Sequence, residues 1–216
     1  MVCPKQIKDY KDAVSDWIKT NKSFDVGHIG VDIHWKVSLI EIVGEEARLR
    51  INTTFVKKAI ADDNYMMALK ILIGHELWHR YQDGGYKPSK TYDMSIEDLP
   101  GARVASMVRE LQCDFYGYKI LKELDKSGVY TGIDIKDAMV KGLGIARDNL
   151  IYKLTVKHPH NAGYPTSEYR GDFLNSTDVF DSVTIKQIYE AHKNVSKSTT
   201  SLKVVTDLID KEGLIA

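Results

Sequence analysis

Apolar side chains recur at Ile7, Tyr10, Val14, Trp17 and Ile18, a rhythm that predicts a helix over residues 5–19. Val31, Ile33, Trp35, Val37 and Leu39 then alternate with Asp32, His34, Lys36 and Ser38. Alternate side chains of a strand share a face, so this run predicts one. Past a turn at 44–46, Ala47, Leu49 and Ile51 alternate with Arg48, Arg50 and Asn52. The two runs read as an antiparallel hairpin with one wet face. From Tyr65 to Tyr81 the spacing is helical and apolar almost all round until Trp78, so this helix should be buried on most sides. Gly84-Gly85 ends it, and a loop leads to Pro100-Gly101. A second long helix covers about 102–124, with Val104, Met107, Val108, Leu111, Phe115 and Tyr118 inward. A third starts near Asp134, a capping residue, and runs to about Tyr152. A loop rich in Pro, His and Tyr fills 157–172, and weaker helices follow near 182–194 and 201–211. The economical fold class is α+β, a small antiparallel sheet with a helical majority. Residues 1–195 read as one domain, and 196–216 as a short linker with a C-terminal helix.

Charge and cysteines narrow the function classes. Thirty basic and thirty acidic side chains cancel, so no global field recruits nucleic acid. No run of apolar residues is long enough to span a membrane; the best, Met66 to Trp78, carries Lys70 and Glu76. The two cysteines, Cys3 and Cys113, imply no disulfide framework. With no secretion signal at the start, a cytoplasmic location is expected.

Chemistry enters at Gly74-His75-Glu76-Leu77-Trp78-His79, a His-Glu-x-x-His motif set in the buried helix. Residues four apart share a helical face, so His75 and His79 can present two imidazoles to one metal ion. Glu76 is turned by about 100° from His75 and can approach a water at that metal without ligating it. Zinc chemistry asks for this pattern: neutral nitrogen ligands, a third protein ligand and an open position. Histidines satisfied by backbone carbonyls are the bland alternative, yet an unpaired Glu76 in so apolar a helix would be costly.

The longer motif with a third histidine fails, because Gln82 and Gly85 stand where its glycine and histidine would be. The second helix offers Glu110 and Asp114, four apart on a line with Met107, Gly117 and Leu121. Two carboxylates on an apolar line suggest a cation opposite, and Gly117 would let a facing helix approach closely. This Glu-x-x-x-Asp after His-Glu-x-x-His resembles the gluzincins, the thermolysin-like zinc peptidases. Glu110-Leu111-Gln112-x-Asp114-x-Tyr116 is similar to the matching stretch of the bacterial neutral zinc metallopeptidase family. Tyr164-Pro165-Thr166-Ser167-Glu168-Tyr169-Arg170 has the frame of that family's His-Gly-Thr-Ser-x-x-Arg segment. The resemblance implies a zincin-like fold with zinc on His75, His79 and Glu110, and Asp114 accepting a hydrogen bond from His75.

It also implies a zinc metallopeptidase acting on a peptide or protein substrate, with Glu76 as general base. Arg170 would steady the reacting carbonyl, together with Tyr164 in the family histidine's place or with nearby His158 or His160. The strand near 48–53 could pair with the substrate backbone. A catalytically silent zinc-fold binding protein and a site-specific regulatory protease are the rival readings. Cys113, three residues from Glu110, could touch the metal, but buried cysteines are usually inert packing and that is the expectation. Cys3 is a remote candidate for a blocking thiolate, and His28, His34 and His192 read as surface or strand residues.

Overall fold

A computed structural model describes residues 3–43, 47–84, 99–147, 165–196, 203, 206 and 207. Of 99–103, 105, 106, 145–147 and 192–196 only the backbone is described. Helix α1 (Lys5–Lys22) buries Ile7, Tyr10, Val14 and Ile18 and stops at Ser23, which is left-handed at φ 52°. The alternating run at 31–39 then breaks in two. Strand β1 spans Gly30–His34 and strand β2 spans Ile40–Val43. Both pair with β3 (Arg48–Asn52), β1 in parallel and β2 antiparallel.

The sheet is therefore mixed, in the order β1-β3-β2, and not the expected antiparallel hairpin alone. Residues 35–39 carry the chain around the end of β3. There Asn52 holds them: its side-chain amide donates to the Val37 carbonyl at 2.6 Å and its backbone N–H to Leu39 at 2.7 Å. Val37 and Leu39 are still buried while Trp35 is 73% exposed, so the alternation survives in a segment that is not a strand.

Asn52 also begins helix α2 (Thr53–Ala61), which the periodicity did not predict. Its Oδ1 accepts from the N–H of Thr54 at 2.8 Å and of Phe55 at 3.2 Å, two of the donors a helix start leaves free. Asp62 caps the next helix, α3 (Asp63–Gln82), through the Asn64 N–H at 2.8 Å. Helix α3 packs against α1, α2 and β2 and against two later helices, α4 (Leu99–Leu124) and α5 (Ile135–Arg147). That central place explains an apolar circumference. Helix α4 begins earlier than expected, with Pro100 and Gly101 already helical; proline is tolerated in a first turn. Asp134 caps α5 as expected, accepting from Lys136 N–H at 2.7 Å.

The run 157–172 is not all loop. Thr166 accepts from the Tyr169 N–H at 3.2 Å and opens helix α6 (Ser167–Ser176). Helix α7 (Ser182–Ser196) follows, capped by Asp181. Of the expected last helix, only Lys203, Thr206 and Asp207 are described, and they are helical.

Helices α3 and α4 cross where Gly74 meets Gly117. A Cβ on Gly74 would stand 2.7 Å from the Gly117 Cα; one on Gly117 would overlap the Ile71 carbonyl and lie 3.0 Å from the His75 nitrogen. Only bare backbones fit at this crossing. Gly117→Ala should cost about 1–3 kcal/mol by overpacking, since α4 must shift away from α3. Gly144→Ala is the control, because its added Cβ meets no described atom. Thermal melts of both variants, metal-free, check the difference.

Candidate metal centre

Glycine contact at the crossing sets α4 beside the histidine face of α3, and the side chains converge there. His75 Nε2 lies 3.3 Å from one Glu110 oxygen and His79 Nε2 lies 3.3 Å from the other. The two imidazole rings are nearly perpendicular, at 85°. Ligands on arms of about 2.0 Å around a tetrahedral ion stand about 3.3 Å apart, the separation of each imidazole from its Glu110 oxygen. His75 and Glu110 are buried, and His79 is partly exposed.

The far side of His75 is fixed. Its Nδ1 lies 2.8 Å from Asp114 Oδ1. Asp114 is fully buried and also accepts from Arg170 on α6, from Nε at 2.6 Å and from Nη2 at 2.5 Å. Burial alone would raise the Asp114 carboxyl, but the guanidinium and His75 hold it below the usual range. An ionised Asp114 can only accept, so His75 Nδ1 carries a proton, and Nε2, on the Glu110 side, is the nitrogen that could ligate a metal once it gives up its own proton. Arg170, expected to face the reacting carbonyl, is thus found behind the histidine, bound to Asp114.

The charges around His75 are unequal in sign. Three carboxylates, Glu76, Glu110 and Asp114, gather around His75 against one guanidinium on Asp114. Burial opposes charge on His75, yet the Asp114 and Glu110 carboxylates override it and lift the imidazole to about 10. Burial likewise works against ionised Glu110, but His79 and His75 hold it well below the usual range. A dication between the two Nε2 atoms and Glu110 would meet the same need without protons.

Glu76 is half-buried on the adjacent face of α3, which packs against β2. Burial raises its carboxyl above the usual range, the direction that suits a proton carrier near neutral pH. Among the described strands, β2 pairs only with β3, and it packs against α3, the helix that carries Glu76. The strand expected to pair with substrate, β3, has a neighbour on each side and no free edge; β2 replaces it as the candidate.

A residue the sequence reading passed over stands behind His79. Gln82, three positions on and so on the same helical face, brings its Oε1 to 3.1 Å from His79 Nδ1. Cys113 joins them: its Sγ is 3.2 Å from both His79 Nδ1 and Gln82 Oε1. His75, His79 and Cys113 form a group that could hold a metal ion, with ligand atoms within 4.8 Å of one another. Cys113 adjoins the His79 nitrogen turned away from Glu110, whereas Glu110 has an oxygen 3.3 Å from the Nε2 of each histidine. Burial and the carboxylates of Glu110, Asp114 and Glu76 push its thiol well above the usual range. We therefore take Glu110 as the better third donor.

Tyr164, His158 and His160 lie outside the described residues, as does most of the 83–100 loop. Cys3 is buried in the main core, its thiol directed to the Pro4 carbonyl, with burial raising it above the usual range. His34 sits on β1, and His28 is exposed in the approach to it. No described helix is long and apolar enough to cross a membrane. No protein-family model, curated protein or solved structure matches the chain.

Proposed function

We propose that the chain is a zinc-dependent metallopeptidase with His75, His79 and Glu110 as the metal ligands and Glu76 as general base. The observation that carries this reading is the spacing of the two Nε2 atoms and the Glu110 oxygens. Two imidazoles and a carboxylate suit zinc with one position left open. When bound, the ion supplies Lewis acidity, acidifying water and polarising a carbonyl. Glu76 takes the proton of the attacking water and returns it to the leaving amine. Asp114 and Arg170 hold His75 in its ligating tautomer. The outer edge of β2 pairs with the substrate backbone, a sequence-tolerant mode that places the scissile bond beside Glu76.

Elemental analysis should find about one zinc per chain in the parent and almost none in His75→Ala/His79→Ala. Removing the metal with a chelator should lower the melting temperature, and re-addition of zinc should restore it. Full zinc occupancy in the double variant would end this reading. A peptide-library digest with parent and Glu76→Gln protein then tests the reaction class, because cleavage by both alike points to a contaminating peptidase.

A further inference from the structure

The two imidazoles are not backed alike. Behind His75 stands a carboxylate locked by an arginine. Behind His79 stands an amide, and its orientation follows from its neighbours. Gln82 Nε2 lies 2.6 Å from Gln112 Oε1 and 3.4 Å from the Arg109 carbonyl. A backbone carbonyl only accepts, so the amide nitrogen faces it and Oε1 is turned to His79. That oxygen also receives the Cys113 S–H. His79 Nδ1 must then be the donor toward Gln82, leaving Nε2 as the lone pair on the Glu110 side.

We propose that Gln82 is the positioning residue of His79, and that its neutral amide makes His79 the weaker imidazole donor and so sets the centre's metal affinity. This rests on the metal-centre reading above. A carboxylate partner raises the donor strength of a ligating imidazole more than an amide does, because it stabilises the positive charge that ligation draws onto the ring. The amide gives the same tautomer and the same aim with less of that support. It accepts from two donors and donates to two carbonyl oxygens, so it is held on both sides. The Cys113 thiol assists by fixing the oxygen it shares with His79.

Zinc affinity, measured by competition with a chelating dye, separates this role from a packing role. Gln82→Leu should bind zinc about 10–100-fold more weakly. Gln82→Glu should bind about tenfold more tightly, although its second oxygen faces the Arg109 carbonyl and should lower the metal-free melting temperature. Affinity rising while stability falls is a pairing that mere packing does not produce. Cobalt substitution adds a spectroscopic readout: ligand-field bands should move between parent and Gln82→Glu, and Cys113→Ser should leave them in place. Parent-like zinc affinity in both Gln82 variants overturns the proposal. So does a sulfur-to-cobalt charge-transfer band lost in Cys113→Ser, which would put the thiol on the metal with His75 and His79. A parent protein that binds neither ion removes the metal-centre reading itself.

Discussion

Glu76→Gln should keep its zinc and lose peptide hydrolysis by about 10²–10⁴-fold in turnover. Zinc retention follows from the geometry, because the donors that converge are His75, His79 and Glu110. An amide in its place keeps the size and shape of the side chain, so the local fold is kept. It cannot take a proton, so the step that needs a base is lost while substrate binding survives. The expected signature is therefore a fall in kcat with little change in KM. Metal content by elemental analysis and turnover on a cleaved peptide are the two measurements. A variant that turns over at the parent rate means that Glu76 is not the base. One that loses its zinc means that Glu76 belongs to the ligand set.

Much of the fold was legible because burial leaves a periodic trace. Helices α1, α3, α4 and α5 follow from their apolar spacing, and the close crossing of α3 and α4 from Gly117. Periodicity failed where burial and secondary structure part company. Val37 and Leu39 bury their side chains in a crossover, so they look like strand residues without pairing as one. Helices α2 and α6 are 9 and 10 residues long, too short for a clear repeat, and were signalled only by the capping residues Asn52 and Thr166.

For the site, the sequence named His75, His79, Glu110 and Asp114, and the structure brings these side chains together. Helical spacing made that possible, since i,i+4 pairs on two helices can be placed before the helices are docked. Gln82 obeys the same spacing from His79 and could have been found. Arg170 was named too, at the reacting carbonyl, but its pairing with Asp114 could not be read, because 56 residues separate the two and only tertiary structure joins them.

Arg170 carries the other large expectation. Asp114 is fully buried, and the guanidinium is the fixed cation against it. Arg170→Met should leave a buried carboxylate without that partner and cost about 3–5 kcal/mol of stability. It should also weaken zinc binding, because an Asp114 that gains a proton can no longer hold His75 in the ligating tautomer. Asp114→Asn alone should weaken zinc about 10–100-fold while removing the carboxylate that Arg170 binds through Nε and Nη2. The double variant Arg170→Met/Asp114→Asn separates the two effects. With both charges gone, much of the lost stability should return, a coupling a double-mutant cycle reads directly. Zinc affinity should stay low, since His75 has lost its carboxylate either way. An arginine that acted only on the reacting carbonyl would behave in the opposite manner. Arg170→Met would then melt like the parent, bind zinc like the parent and lose kcat alone.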